Sequence, residues 1–283
     1  MKIAQIIRTD EYEEMYDLHV EGTHAYYANG ILVHNCDPST NQLPKEFRDY
    51  VKPSAGKKFL YMDWSAAELA VAIFWSRETT LLKAYRQGAD LHRIIASELL
   101  DKPYEQVTDE DREVSKIVTF SIMYGSEGGA ASRALGISFD EASRLVQKFW
   151  EKFPRMLELR TRIQTQARRT FRTWTAAGRC RRLSNIETGA DENKGLRQAF
   201  NTAIQSSVAD FQKLALIRLH KYLQPIGGRV VTTVFDSFLI EVDMDADESQ
   251  IGEDLVRLFT FELDGFEWKF NFKLKSGYTW GTF

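Results

Sequence analysis

The sequence predicts an α+β fold, with an antiparallel sheet and several long helices, preceded by a small all-β segment. Two apolar, β-branched runs flank Asp236 in the pattern of a hairpin, and residues 59–62 form a further short apolar strand. Helical periodicity with capping signals recurs between residues 66 and 223. Near the start, Asn29 and Gly30 join two short apolar runs, which is the strongest short-range hairpin signal.

The elements follow in chain order. Residues 36–58 are rich in proline and polar residues, which predicts loop and linker. Residues 59–62 are the first strand of the main fold. Apolar periodicity predicts helices over 66–76 and 91–100.

Capping residues place the later helices. Thr108 is followed by acids that suit the first turn of a long helix, and Ser138 with Glu141 forms a capping box. Pro154 breaks the second of these helices, and another follows to about residue 171. A further long helix spans 195–223, and the hairpin of 229–235 and 238–243 turns at Asp236 and Ser237.

Length and composition are those of a globular protein. The chain has 283 residues, of which 43% are hydrophobic and 27% charged. No apolar run approaches the roughly 20 residues that a membrane span needs. The N-terminus turns acidic too soon for a secretory signal, and two cysteines are too few for a disulfide framework, so we expect a reducing compartment.

Charge is unevenly distributed although the net charge is only −3. Residues 144–182 carry 12 Lys or Arg against 2 Asp or Glu, whereas residues 241–267 carry 10 Asp or Glu against one Arg. Such asymmetry is typical of a protein that presents one face to a polyanion. Two solvated helix faces of opposite sign would produce the same pattern.

The tripeptide at residues 34–36 has chemistry suited to peptide-bond rearrangement. The Asn35 side-chain amide can attack its own carbonyl carbon, form a succinimide and break the bond to Cys36. The Cys36 thiol is a strong nucleophile for acyl transfer, and His34 can move the protons. Alone, His-Asn-Cys is a weak motif that a polar loop would also contain.

The surrounding segment resembles the C-terminal piece of an intein, through YDLHVEGTHAYYANGILVHN at residues 16–35. The resemblance covers residues 1–35 and implies that Asn35 cyclises with help from His34, and that Cys36 accepts the upstream chain. Two more positions match residues that support the splicing centre: Asp17 and His24. It also implies a split intein, whose N-terminal half is on a partner chain. An ordinary β-hairpin arm is the alternative.

Two aspartates stand beside predicted strands among apolar neighbours. Asp63 follows residues 59–62, and Asp236 lies at the turn of the hairpin. An unpaired carboxylate there would be costly, so a pair brought together needs a cation, and carboxylate oxygens suit Mg²⁺. Such a pair can hold two metal ions for in-line displacement at phosphorus. Strand-end capping is the alternative for each.

Two stripes of side chains recur at a spacing of four residues, which places each on one helix face. The first combines cations that would grip a polyphosphate with aromatics that would stack on a base: Arg112, Lys116, Phe120 and Tyr124. The second offers hydrogen bonds to sugars, phosphates or base edges: Arg197, Asn201 and Gln205. A solvated or half-buried face would explain either stripe.

Jointly, these motifs resemble those of the family A DNA polymerases over residues 36–283. Motif A is resembled by MDWSAAELAVA at 62–72, motif B by R-x3-K-x3-F-x3-Y-G at 112–125, and motif C by VVTTVFDSFLIEV at 230–242. Other family segments are resembled by Asp-Leu-His at 90–92, LRQAFNTAIQSSVAD at 196–210 and PSTNQLP at 38–44.

The resemblance implies a palm built on an antiparallel sheet, with helical fingers over roughly residues 77–137. It implies that Asp63 and Asp236 bind two Mg²⁺ ions and that Glu68 excludes the 2′-hydroxyl of ribonucleotides. The incoming dNTP would be held by five side chains: Arg112, Lys116, His92, Phe120 and Tyr124. The primer-template would be contacted by three: Arg197, Asn201 and Gln205.

The resemblance also implies where the protein works and with what. The upstream part of the polymerase would lie on a partner chain fused to the N-terminal intein half, and trans-splicing would join the two. The setting would be the cytoplasm of a bacterium or of a phage host. Motif C departs from the family's His-Asp-Glu at Phe235 and Ser237, which leaves speed and fidelity open.

Two alternatives to a DNA polymerase remain. Phage-type single-subunit RNA polymerases share Asp-Ser-Phe in motif C, although Glu68 and the N-T-x-I-Q segment favour DNA. A catalytically impaired DNA-binding fragment is the other, although both aspartates and an unbroken motif B argue against it.

Overall fold

The computed structural model describes residues 3–8, 16–20, 25–28, 31–34, 43, 45–126 and 128–283. They divide into two compact units. The first contains the described residues up to Asp63 together with residues 216–248 and 274–283, and the second contains residues 64–215 and 249–273.

The described strands and helices follow one another along both units. The strands are β1 (Ile3–Arg8), β2 (Tyr16–Val20), β3 (Ala25–Ala28), β4 (Ile31–His34), β5 (Lys57–Trp64), β6 (Arg172–Trp174), β7 (Cys180–Arg182), β8 (Arg229–Val234), β9 (Ser237–Asp243), β10 (Thr260–Leu263), β11 (Phe266–Lys269) and β12 (Phe272–Gly277). The α-helices are α1 (Ala67–Ser76), α2 (Thr79–Arg86), α3 (Leu91–Leu100), α4 (Asp109–Met123), α5 (Gly129–Leu135), α6 (Phe139–Lys152), α7 (Pro154–Thr170), α8 (Ser184–Glu187), α9 (Glu192–Leu223) and α10 (Glu248–Leu258).

The N-terminal strands form two antiparallel pairs. β1 pairs with β2, and β3 pairs with β4 with Ala28 opposite Ile31. The second pair confirms the short hairpin that the Asn-Gly signal predicts.

A four-stranded sheet in the order β12-β5-β9-β8 organises the first unit. β9 is antiparallel to both β5 and β8, and every residue of β9 except Asp243 is buried. The predicted hairpin is therefore correct, and the predicted strand at 59–62 is the middle of the longer β5. On one face of the sheet, Phe59 of β5 and Leu239 of β9 form a buried cluster with Trp280, and the Tyr61 ring stacks on Phe283.

Local capping fixes the helices of the second unit. Thr108 and Asp111 form a reciprocal capping box at the start of α4, and Ser138 and Glu141 do the same for α6. Pro154 occupies the first turn of α7, where a missing N–H costs nothing. Each of these helix starts was predicted from the sequence and is confirmed.

An aromatic cluster lies at the centre of the second unit. The Trp64 ring stacks on Phe270 with centroids 4.3 Å apart, and Phe74 and Phe211 meet Phe270 edge-on or tilted. Offset and edge-to-face contacts of this kind stabilise a core beyond its buried area. The α1 helix that follows Asp63 is thereby anchored to the β10–β11 hairpin, whose Trp268 also packs on Phe74.

The prediction of loop and linker over residues 36–58 is wrong in part. A 3₁₀ helix spans Lys45–Tyr50, and β5 begins at Lys57. The Arg48 side chain donates to the Leu43 carbonyl and its guanidinium lies over the Trp280 ring, so tertiary contacts order a segment with weak local propensity.

The charged segments are not simply solvated faces. Several arginines of residues 144–182 are paired internally, including Arg168 with Glu192 and Arg179 with Asp210. In the acidic segment, Glu241 is buried and receives hydrogen bonds from Arg229 and Ser54. Among the described helices, none is long and apolar enough to cross a bilayer.

Candidate active site

The register of the central sheet brings Asp63 and Asp236 together. Asp63 pairs across the ladder with Ser237, so Asp236 directly precedes the partner of Asp63. Burial raises the pKa of the nearby Tyr61 hydroxyl, and the negative charges of both aspartates raise it further. Both carboxylates are half-buried and present hard oxygen donors, which is the ligand chemistry that Mg²⁺ prefers. Within the described ranges, no group of three or more His, Cys, Asp or Glu is placed to hold a metal.

The hairpin loop that carries Asp236 is strained at one position. β8 ends at Val234 and β9 begins at Ser237, so the loop consists of Phe235 and Asp236 rather than the predicted Asp236 and Ser237. Phe235 has φ = +52° and is 76% exposed. A left-handed backbone is unfavourable for a bulky side chain, so the fold holds Phe235 there at a cost.

Ser237 has a structural role that the sequence does not reveal. Its side chain is buried, and its Oγ donates to the Val234 carbonyl at 2.7 Å, which closes the loop. It also shares a hydrogen bond with the Tyr61 hydroxyl. The serine in motif C therefore fixes the loop that presents Asp236.

The aromatic residues of the α4 stripe, which consists of Arg112, Lys116, Phe120 and Tyr124, are exposed to solvent. Phe120 and Tyr124 are 39% and 52% exposed, and their rings stack with centroids 6.3 Å apart. Tyr124 lies one residue beyond the end of α4, so its ring stands at the helix terminus. The predicted pairing of two aromatics on one face is confirmed by these contacts.

The two cations of the stripe already have partners. The Arg112 Nε donates to Asp90 at 2.7 Å and its Nη1 donates to Glu113 at 3.1 Å, while the Lys116 Nζ lies 3.4 Å from Glu113. Burial acts to raise the pKa of Asp90, but the hydrogen bonds from Arg112 and from the Arg93 backbone, together with the charge of Arg112, hold that pKa below its ordinary value. A polyphosphate bound here would compete with these carboxylates.

His92 lies beside the stripe and is nearly buried. Its ring centroid is 6.2 Å from that of Phe120, and burial together with the charge of Arg112 lowers its pKa to about 4. At neutral pH it is therefore an uncharged hydrogen-bonding group. Its Nδ1 is buried and has no hydrogen-bond partner in the part of the chain that the structure describes.

The α9 stripe lies on a polar side of a helix that is buried on its other side near the stripe. Arg197 is exposed, and Asn201 and Gln205 are half-buried. The Gln205 amide has a partner within the chain, because its Nε2 donates to Glu68 Oε1 at 2.9 Å. Burial raises the pKa of Glu68.

Gly125 lets α9 pass close to the end of α4. Its φ is +76°, and a Cβ at this position would lie 2.8 Å from the Cβ of Arg197. Only glycine combines this backbone with this approach. The glycine of motif B therefore sets the distance between the two stripes.

Two supporting residues, Asp90 and Tyr61, are not singled out by the sequence, and some of the predicted residues lie outside the described ranges. In the sequence Asp90 stands out only within the Asp-Leu-His segment, although an acid just before a helix is a capping signal. Tyr61 had no signal, because only the strand register shows its position. Asp17 lies on β2 and His34 ends β4, whereas His24, Asn35 and Cys36 lie outside the described residues.

Comparison with known proteins shows the family to which the chain is similar. The family model for DNA polymerase family A matches residues 34–282. DNA polymerase I of Pseudomonas aeruginosa is 28% identical over 238 residues, which are 81% of this chain and 26% of that protein. The thermostable DNA polymerase I of Thermus aquaticus is 26% identical over 240 residues, which are 82% of this chain and 29% of that protein.

A solved structure has a similar fold. It is the POL domain of Pol1 from M. smegmatis in complex with DNA primer-template and dNTP, with a TM-score of 0.78 and 24% sequence identity. The alignment covers 89% of this chain and 46% of that one. The chain thus spans about a quarter of the length of these curated relatives and less than half of the solved chain.

Proposed function

This chain belongs to DNA polymerase family A, and we propose that residues 36–283 are the catalytic C-terminal part of a DNA-directed DNA polymerase that extends a primer 3′ end with dNTPs. The observation that carries the proposal is the pairing of Asp63 with Ser237, which places the half-buried Asp236 directly before the cross-strand partner of the half-buried Asp63. The stacked and exposed Phe120 and Tyr124 support a nucleotide site on α4.

Asp63 and Asp236 would hold two Mg²⁺ ions. The donor set fits, because two carboxylates offer several hard oxygen ligands. Bound Mg²⁺ would supply activation of the primer 3′-hydroxyl and neutralisation of the pyrophosphate charge. The chain's own contribution is to fix the carboxylates, through the β5–β9 ladder and through the Ser237 bond to Val234.

The incoming dNTP would lie along α4. Arg112 and Lys116 would bind its triphosphate by charge-assisted hydrogen bonds, which must displace Glu113 from both cations. His92 would contribute a neutral hydrogen bond rather than a charge. Phe120 and Tyr124 would contact the base and sugar, because both rings are exposed on one face.

The remaining site residues would select the sugar and hold the DNA. Glu68 would press against the 2′ position of the sugar and so exclude ribonucleotides. Arg197 and Asn201 on α9 would contact primer and template, with Gln205 at the end of the same stripe. We propose palm around the β5–β9 sheet and fingers over residues 77–137.

We also propose that residues 1–35 are the C-terminal piece of a split intein. The antiparallel pairs β1–β2 and β3–β4 support an all-β segment. Asn35 would cyclise and release the amine of Cys36, after Cys36 has accepted the upstream chain as a thioester. The partner chain would be the N-terminal polymerase part fused to the N-terminal intein half.

One experiment tests both proposals. The chain is mixed with an upstream polymerase fragment fused to the N-terminal intein half, and the mass of the products and primer extension are followed together. We expect a ligated product that extends a primer with dNTPs. Asp236→Ala should abolish extension and leave ligation intact, whereas Asn35→Ala should block release of the intein.

The other outcomes separate the two proposals. Ligation without extension would contradict the polymerase and leave a DNA-binding role. Extension without ligation would contradict splicing and make residues 1–35 a docking arm. Incorporation of ribonucleotides above deoxyribonucleotides would indicate an RNA polymerase.

A further inference from the structure

Glu68 has an unusual environment for a carboxylate in the first turn of a helix. Its Oε1 accepts a hydrogen bond of 2.9 Å from the Gln205 amide, 137 residues further along the chain. Its Oε2 is buried and has no hydrogen-bond partner among the residues that the structure describes. A buried polar atom without a partner is costly, so its placement needs an explanation.

Gln205 also reaches the aromatic stripe. Its side chain forms a hydrogen bond with the Tyr124 hydroxyl, and the charge of Glu68 acts on the same hydroxyl. One amide thus joins three elements: the start of α1, the end of α4 and the middle of α9. The Gln205 side chain, for which the sequence pattern predicts a DNA contact, therefore links the Glu68 carboxylate to the Tyr124 hydroxyl.

We propose that Gln205 is a positioning residue that holds Glu68 in the rotamer from which it discriminates deoxyribose from ribose; this rests on the function proposed above. A carboxylate held at one oxygen cannot rotate away from the sugar. Its other oxygen, which is buried and has no hydrogen-bond partner among the described residues, would then meet an added 2′-hydroxyl. Without Gln205, Glu68 can turn towards water and leave room for that hydroxyl.

A role in DNA contact alone predicts a different result. Loss of a contact to primer or template weakens every extension step equally, whichever nucleotide enters. Loss of the Glu68 position favours ribonucleotides selectively. The ratio of kcat/KM for a dNTP to that for the matching rNTP therefore separates the two roles.

The test compares Gln205→Leu with the unmodified enzyme, in the polymerase assembled with its upstream part. Leucine keeps the bulk of the side chain but removes both amide hydrogen bonds. We expect the dNTP-to-rNTP ratio to fall about tenfold, which is the loss of one hydrogen bond to a charged group. An unchanged ratio with lower rates for both nucleotides would overturn the proposal.

Asn201→Leu is the matched control, because Asn201 lies one turn earlier on the same helix face. It should lower the two rates together and leave the ratio unchanged. The reversed pair, Glu68→Gln with Gln205→Glu, restores donor and acceptor in exchanged positions. It should recover much of the selectivity that Gln205→Leu loses, and failure to do so would count against a hydrogen-bonded positioning role.

A measurement independent of activity keeps the outcome distinguishable from failure of the polymerase proposal. The Glu68 carboxyl carbon is followed by NMR during a pH titration of the chain and of Gln205→Leu. Because the Gln205 bond lowers the Glu68 pKa, its removal should move the titration upwards. If neither nucleotide is incorporated, the proposed function fails; if the titration does not move in a folded variant, the positioning bond fails.

Discussion

The Arg112 guanidinium donates from Nε to Oδ2 of Asp90 at 2.7 Å, and the other oxygen of that carboxylate accepts from the backbone N–H groups of His92 and Arg93. One side chain therefore caps α3 and orients a cation of α4. The proposed triphosphate site depends on this link, because Arg112 is held before any nucleotide arrives.

Asp90→Asn separates the two roles. The amide oxygen can still cap α3, so the free energy of unfolding should fall by no more than about 1 kcal/mol. The charge that orients Arg112 is lost, so we expect the KM for dNTP to rise severalfold while kcat changes less. Steady-state primer extension at varied dNTP, with chemical denaturation of the same sample, measures both.

Asp109→Asn is a matched control for that variant. Asp109 forms an exposed ion pair with Arg93. Arg93 lies in the first turn of α3, the helix that Asp90 caps. Surface pairs contribute about 0–1 kcal/mol, so neither stability nor KM should change appreciably. Equal effects of the two variants on KM would contradict a specific role for Asp90.

His92 should make stability depend on pH. Burial lowers its pKa to about 4, from 6.5 in the unfolded chain. As pH falls below 6.5, the histidine of the unfolded chain binds a proton while that of the folded chain stays neutral. The free energy of unfolding therefore falls, by about 3 kcal/mol at pH 4, and levels off below that pH.

His92→Gln removes this titration. Chemical denaturation at several pH values between 6.5 and 4 should give a steeper loss of stability for the unmodified chain than for the variant. Above pH 6.5 the two curves should run parallel. Parallel curves throughout would show that His92 titrates normally.

Local signals accounted for much of the fold, and long-range contacts accounted for what was missed. The caps at Thr108 and Ser138 depend on residues three apart, so they are visible in sequence. β10 and β11 were not predicted, because their aromatic residues lie among acids and gain stability from packing on Phe74. The Glu68–Gln205 bond has no local trace at all.

Gly125→Ala should damage the site more than a similar change elsewhere. Alanine at φ = +76° is strained, and its Cβ would lie 2.8 Å from the Cβ of Arg197. We expect a loss of about 2–4 kcal/mol in the free energy of unfolding, from strain plus overpacking, and slower extension because both stripes shift.

Gly136→Ala isolates the contact. Its φ is +67°, but nothing lies within 4 Å of the added Cβ. It should lose only the cost of a left-handed alanine, about 1–2 kcal/mol, and leave extension unchanged. If the two variants lose equal stability, the close approach of α9 to Gly125 has no energetic weight.

Phe235→Asn should raise stability and slow extension. Asparagine tolerates the left-handed backbone that Phe235 adopts at φ = +52°, and the 76% exposed ring buries little surface, so the free energy of unfolding should increase by about 1 kcal/mol. We expect the exposed ring to pack against the primer terminus beside Asp236, so its loss should slow extension although the free energy of unfolding rises.

Phe171→Asn is the control, because Phe171 has φ = +56° at the end of α7 and no proposed role at the site. Its gain in stability should be smaller than that of Phe235→Asn, because the Phe171 ring is only 40% exposed and its loss removes more buried surface, and extension should not slow. Slower extension in both variants, or in neither, would mean that the strain at Phe235 serves no function in the site.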